Sequence, residues 1–167
     1  MLAATDPSPP IVVTRPVWPW VATALRVGLG AVALVAGLTK MSDLPASVRS
    51  VRAYQLLPEG LAVLIGNALP LVEVIVGALL LLGLFTRVSA AAFGLMLVAF
   101  SIGIGSAWAR GLAIDCGCFG GGGAIDPGNT SYLLDLLRDV VLITVAAVLV
   151  RRPHSRLSLD SALDLSL

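Results

Sequence analysis

Three apolar stretches of about twenty residues each dominate this chain, and a fourth of similar length carries polar interruptions. At about 1.5 Å per residue, a helical run of that length crosses a hydrocarbon core of about 30 Å. Backbone polar groups in lipid must be satisfied within the segment itself, so a helix is the economical structure for each run. The expectation is therefore an all-α polytopic membrane protein, a four-helix bundle with little outside the bilayer. Composition points the same way: 57% of residues are hydrophobic and 13% are charged, against about 25% charged in a soluble domain. An ordinary soluble domain, a nucleic-acid module and a disordered chain are excluded. With a net charge of +1, no acidic or basic patch dominates.

Three regions follow. Residues 1–16 form a proline-rich tail, read as flexible, with Pro7, Pro9, Pro10 and Pro16. Residues 17–152 hold the membrane domain, and 153–167 form a C-terminal tail. The expected spans are Val17 to Leu38, Gly60 to Phe85, Val88 to Trp108 and Ser131 to Val150. Trp18 and Trp20 fit the headgroup belt at the start of the first span. Arg26 interrupts that span, which argues against a cleaved signal peptide. Gly28, Gly30, Gly37, Gly77, Gly94, Gly103 and Gly105 are small residues that let helices approach closely in lipid.

An even number of spans puts both termini on one side. That side carries Arg15, Arg87, Arg151, Arg152 and Arg156; the opposite side carries Lys40, Arg49, Arg52 and Arg110. The balance, with the cluster after the last span, favours cytoplasmic termini in a plasma (inner) membrane. The Lys40–Glu59 and Arg110–Thr130 loops then face outward.

The outer loop reads Asp115-Cys116-Gly117-Cys118-Phe119 and continues into four glycines. Cys116 and Cys118 are the only cysteines in the chain. Gly117 between them permits the sharp bend that a bond between such close neighbours needs. A strained, exposed disulfide exchanges readily, which suits the transfer of oxidising equivalents better than stapling. Asp115 tends to raise the neighbouring thiol and Arg110 to offset it. A zinc site takes about four ligands; there is no second cysteine pair, and the one histidine, His154, falls on the other side. No metal is expected within one chain.

Ionisable residues at bilayer depth mark functional positions by default. Counted from the outer ends of their spans, Arg26 and Glu73 lie at similar depths, about 18–19 Å, and are expected to pair. Arg138 lies nearer the outer surface, with Asp135 on its helix face and Asp139 one step round. Lys40 stands at the upper rim. Together Arg26, Lys40, Glu73, Asp135, Arg138 and Asp139 outline a polar pocket below the cysteines. A quinone head group is the candidate cofactor there, and a proton relay the other use. Structural pairing that fixes helix register explains the same charges equally well.

Several short motifs carry a resemblance. Gly37-Leu-Thr-Lys40, Tyr54-Gln-Leu-Leu-Pro58, and Leu69-Pro-Leu-Val-Glu73 through Gly83-Leu-Phe-Thr-Arg87 resemble the DoxX-like superfamily of small four-helix membrane proteins. Asp115-Cys-Gly-Cys-Phe-Gly120, with Arg138-Asp139 in the last span, resembles its MauE branch, the methylamine utilisation membrane proteins. The resemblance covers about Pro16 to Arg152. It implies a redox-associated membrane protein that acts in methylamine dehydrogenase maturation, beside a thioredoxin-like partner on the external face. Cys116 and Cys118 would be the redox pair, and Lys40, Glu73 and Arg138 the intramembrane polar positions.

The leading expectation is a membrane thiol–disulfide redox protein whose Cys116 and Cys118 cycle between dithiol and disulfide. Its rival is a non-catalytic assembly or scaffold subunit with structural cysteines. A carrier built on Arg26 and Glu73 is less favoured, because no inverted repeat is visible. A homodimer is a candidate assembly, and whether the chain is an enzyme is left open.

Overall fold

The computed structural model describes residues 17–126, 128–152, 155 and 158–162. The N-terminal tail, His154, Arg156 and the last five positions lie outside the described residues. The helices are α1 (Trp18–Met41), α2 (Leu44–Ala53), α3 (Glu59–Leu82), α4 (Thr86–Ala109), α5 (Tyr132–Arg151) and the short α6 (Leu159–Ala162). Strands β1 (Ile114–Asp115) and β2 (Gly123–Ala124) form a two-stranded antiparallel ribbon around the cysteines.

The protein is an all-α membrane bundle. Among the described residues, α1, α3 and α4, of 24 residues each, are long and apolar enough to cross a membrane. The fourth long helix, α5, has 20 residues and carries Asp135, Arg138 and Asp139 near its start. Leu64, Leu71, Leu95, Ile102, Leu134 and Val141 are among the large apolar side chains left exposed on the helices. Lipid tails are as apolar as these side chains, so the exposure carries no penalty there. The core between the helices contains Leu29, Ala33, Leu80, Phe93, Leu97 and Leu149.

The helices α1 and α3 run antiparallel and touch backbone to backbone. A Cβ on Gly37 would come within 2.8 Å of Pro70 O, and one on Gly77 within 2.6 Å of Leu34 N. These glycines set the register of the pair. In that register α1 and α3 are staggered: Lys40, next to the end of α1, meets Glu73, fourteen residues past the start of α3. The first half of α3 is covered instead by α2. Pro70 has no N–H, so it leaves the Gly66 carbonyl one turn earlier without its helical donor. Ser47 of α2 donates its hydroxyl to that carbonyl at 2.7 Å. Gly66 also lets α2 settle closely, since a Cβ there would lie 2.6 Å from Val48 Cα.

The stagger corrects the expected Arg26–Glu73 pair. Arg26 donates from Nη1 to the carbonyls of Leu80, at 2.7 Å, and Leu81, at 3.1 Å, at the other end of α3. Counting equates the loop-side ends of the two spans, whereas α3 extends past α1 at the cysteine end and packs there on α2. Lys40 is likewise no loop residue. It is buried, so it does not act as an exposed charge in the balance between the two sides.

At the end opposite the cysteines, Gly83 closes α3 in the left-handed region (φ 67°). There Asp160 receives N–H donors from Phe85 at 2.7 Å and Thr86 at 2.8 Å, capping α4. Its own N–H donates to Gly83 O at 2.9 Å. Arg152 lies over the Trp18 ring, 5.3 Å from its centroid, so the start of α1 and the end of α5 share this side.

Candidate functional site

The cysteine loop forms a roof over the other end of the bundle. Gly117, Gly120, Gly121, Gly122 and Gly123 all have positive φ, a conformation that costs little only without a Cβ. Space adds a second reason. A Cβ on Gly117 would lie 2.5 Å from Ser50 Oγ, and one on Gly122 2.7 Å from Gly117 Cα. Ser50 of α2 donates to Gly121 O at 2.7 Å, clasping the loop to that helix. Tyr54, just beyond α2, donates to Cys116 O at 3.0 Å. Tyr132, opening α5, accepts from Ile114 N at 2.9 Å and donates to Leu112 O. Arg110 donates to Tyr54 O and, at 3.1 Å, to Ser106 O.

Both cysteines are half-buried thiols. The Cys118 backbone N–H points at Cys116 Sγ, 3.3 Å away. The side-chain hydrogen bond with Cys118 lowers the Cys116 pKa, against burial and with help from the backbone N–H. The same contact holds the proton on Cys118 and pushes its pKa up, and burial adds to the shift. The two thiols are therefore unlike: Cys116 favours thiolate and Cys118 keeps its proton. Arg138 is the guanidinium whose charge favours both thiolates, whereas Arg110 is engaged with backbone carbonyls.

Below the roof lies a cavity of about 20 Å³ among the four long helices, with Cys118, Glu73, Arg138 and Asp139 in its wall. Val32, Phe93, Leu97, Phe100 and Leu142 supply the apolar part. That volume holds about one water molecule, and a quinone ring does not fit while the helices stay closed. Lys40 Nζ is 2.5 Å from Glu73 Oε1, with the two side chains only 5% and 1% exposed. The ammonium also sits 5.2 Å from the Phe100 ring centroid. Arg138 reaches Asp135 at 3.1 Å and Asp139 at 2.9 Å, and its guanidinium carbon lies 5.2 Å from the Phe119 ring centroid. Ser101 donates to the second Asp139 oxygen at 3.3 Å.

Of the expected pocket residues, Lys40, Glu73, Asp135, Arg138 and Asp139 gather beneath the cysteines, and Arg26 stands apart at the far end of the bundle. Ser50, Tyr54, Phe100, Ser101 and Tyr132 were not anticipated as parts of this site. Tyr54 enters the sequence reading only as the start of the Tyr54–Pro58 motif. Among the described residues, no group of three His, Cys, Asp or Glu side chains is placed to hold a metal ion.

The family model for methylamine utilisation protein MauE matches residues 18–152, a range that includes all four long helices and the cysteine loop. The chain belongs to the MauE family. No curated protein and no solved structure matches it. This MauE protein is thus a multi-pass membrane protein of the methylamine-utilisation type, and its two thiols lie inside the matched region.

Proposed function

We propose that this MauE protein is a thiol–disulfide exchange protein that works through Cys116 and Cys118 with a thioredoxin-like partner. The observation that carries the reading is the asymmetry of the thiol pair. The Cys118 backbone N–H points at Cys116 Sγ, 3.3 Å away, which favours a Cys116 thiolate, whereas Cys118 rather than Cys116 lines the charged cavity. Exchange requires this division of labour: one thiolate attacks the foreign disulfide, and a second thiol resolves the mixed disulfide.

In the oxidising direction for this chain, the Cys116 thiolate attacks a partner disulfide. The partner's S–S bond breaks and a mixed disulfide forms. Cys118, once deprotonated, attacks Cys116 Sγ and releases the partner as a dithiol. Two electrons have then passed from the Cys116–Cys118 dithiol to the partner, and the reverse sequence oxidises the partner. In the same proposal the cysteines face the external side of the plasma membrane, the termini are cytoplasmic, and the partner's task is maturation of a disulfide-rich protein of methylamine oxidation. A membrane quinone is the proposed carrier on the electron side, and it reaches the thiols only if the helices part.

The test is Cys118→Ser in native membranes. The expected outcome is loss of net exchange together with a trapped mixed disulfide on Cys116, seen as a reductant-sensitive adduct. Unchanged exchange would sink the proposal and favour the scaffold reading, in which replacing both cysteines leaves partner folding intact.

A further inference from the structure

Resolution of the mixed disulfide has an unmet requirement. While Cys116 is a thiolate, it accepts the Cys118 proton in a hydrogen bond. Once Cys116 is joined to a partner, that acceptor is gone, and Cys118 must shed its proton elsewhere before it can attack. Cys118 lines the cavity beneath the roof.

Two carboxylates line that cavity, and they differ in what their oxygens are doing. Both oxygens of Asp139 have a neighbouring donor, the Ser101 hydroxyl being shared with Leu97 O. Asp139 Oδ1 accepts from Arg138 Nε at 3.1 Å and Nη2 at 2.9 Å, and its Oδ2 accepts from Ser101. Glu73 is half used. Its Oε1 accepts from Lys40, whereas Oε2 is buried with no hydrogen-bond partner among the described residues. An unsatisfied carboxylate oxygen inside a protein is costly and calls for a purpose. The cavity provides one, since its volume of about 20 Å³ accommodates a single water with polar neighbours to bond it.

Building on the exchange reading, we propose that Glu73 is the proton acceptor for Cys118, acting through one water in the cavity. When the partner's disulfide has engaged Cys116, the Cys118 S–H gives its proton to the water, and the water gives one to Glu73 Oε2. The Cys118 electron pair forms the bond to Cys116 Sγ, and the bond from Cys116 to the partner breaks with its electron pair on the partner's sulfur. In the reverse direction Glu73 returns the proton. The other charged groups around the cavity have fixed tasks. Lys40, from α1, holds Glu73 in place through Oε1, and Arg138, from α5, favours the Cys118 thiolate while its own charge is matched by Asp135 and Asp139. The helix α4 contributes Phe100 and Ser101, which do not ionise.

The experiment uses the full-length, reduced protein in detergent micelles with an aromatic disulfide, dithiobis(nitrobenzoate), as the probe. The first nitrothiobenzoate released reports attack by Cys116, and the second reports resolution by Cys118. In the wild type the second phase is expected to vary little with pH over roughly one unit either side of neutrality, because the base is internal. In Glu73→Gln the first phase is expected to stay within about twofold, and the second to slow by about a hundredfold, as for loss of a general base. The residual rate should rise about tenfold per pH unit as hydroxide takes over. Glu73→Asp should restore part of the rate. If Glu73→Gln does not fold, Lys40→Gln with Glu73→Gln removes both charges together and is expected to show the same slow second phase. A second phase unchanged in either variant, or a wild-type second phase that already rises tenfold per unit, overturns the role of Glu73. Absence of any second release from the wild type would instead overturn the exchange reading.

Discussion

The two cysteines of this chain, one residue apart, occupy different environments. Lowering of the Cys116 pKa means that its thiolate persists to lower pH than an ordinary thiol, whose pKa is about 8.5. The sign is fixed by the donor: the Cys118 S–H stabilises the charged form of Cys116. Alkylation of the reduced protein by iodoacetamide is therefore expected to modify Cys116 first, with a midpoint below that of a free thiol. Replacing Cys118 with Ala removes the donor and should move the Cys116 midpoint up, as read by peptide mass spectrometry across a pH series. Equal rates at both thiols at all pH values would contradict the asymmetry. At this scale the sequence was informative about chemistry and poor on partners. Cys-Gly-Cys in the loop between the last two long runs announced the site. Nothing local showed that Ser50 would clasp the loop or that Glu73 would bond Lys40, because those contacts join positions 71 and 33 residues apart.

The helix α2 decides where the polar residues land. It docks on α3 through the Gly66 carbonyl that Pro70 frees, and from there it presents Ser50 and Tyr54 to the cysteine loop. Gly66→Ala would place a Cβ against Val48 backbone, and overpacking of this kind costs about 1–3 kcal/mol. The expected result is a loosened α2 and faster alkylation of Cys118 in the reduced protein, by up to about tenfold, with α3 still helical by circular dichroism. The long helices were legible because apolar runs of membrane length have few other structures available. The docking of α2 was not legible, because it depends on Ser47 meeting a carbonyl nineteen residues away. Consequently the levels of Arg26 and Glu73 were misjudged, although each was correctly placed inside a helix.

Taken whole, the bundle has two unlike ends. One carries thiols, paired charges and a glycine-rich roof. The other is tied together by Asp160, which caps α4 and touches the turn after α3. A helix cap contributes about 1 kcal/mol, so Asp160→Ala is expected to lower the thermal midpoint by a few degrees and to leave thiol exchange unchanged. A scan in detergent alongside the aromatic disulfide assay checks both halves of that statement. A loss of exchange without loss of stability would show that the two ends communicate. The all-α membrane architecture was readable from the apolar runs, but this strap was not, since one aspartate in a polar tail gives no sign of what it will cap.

The stagger of α1 against α3 has a consequence for the surrounding lipid. With Gly37 packed on Pro70 and Val74, α3 runs on past the end of α1 at the cysteine end of the bundle by roughly nine residues, ~13 Å. At the opposite end α1 runs past α3 by a similar amount, since Arg26 already lies at Leu80 and Leu81. The apolar lengths of α1 and α3 are thus offset along the bundle, so the apolar band slopes from one flank to the other. Tilting of the bundle or local thinning of the membrane must absorb the mismatch, at fractions of a kcal/mol per ångström. How far the bundle tilts then depends on acyl-chain length, a variable that acts on the protein from outside.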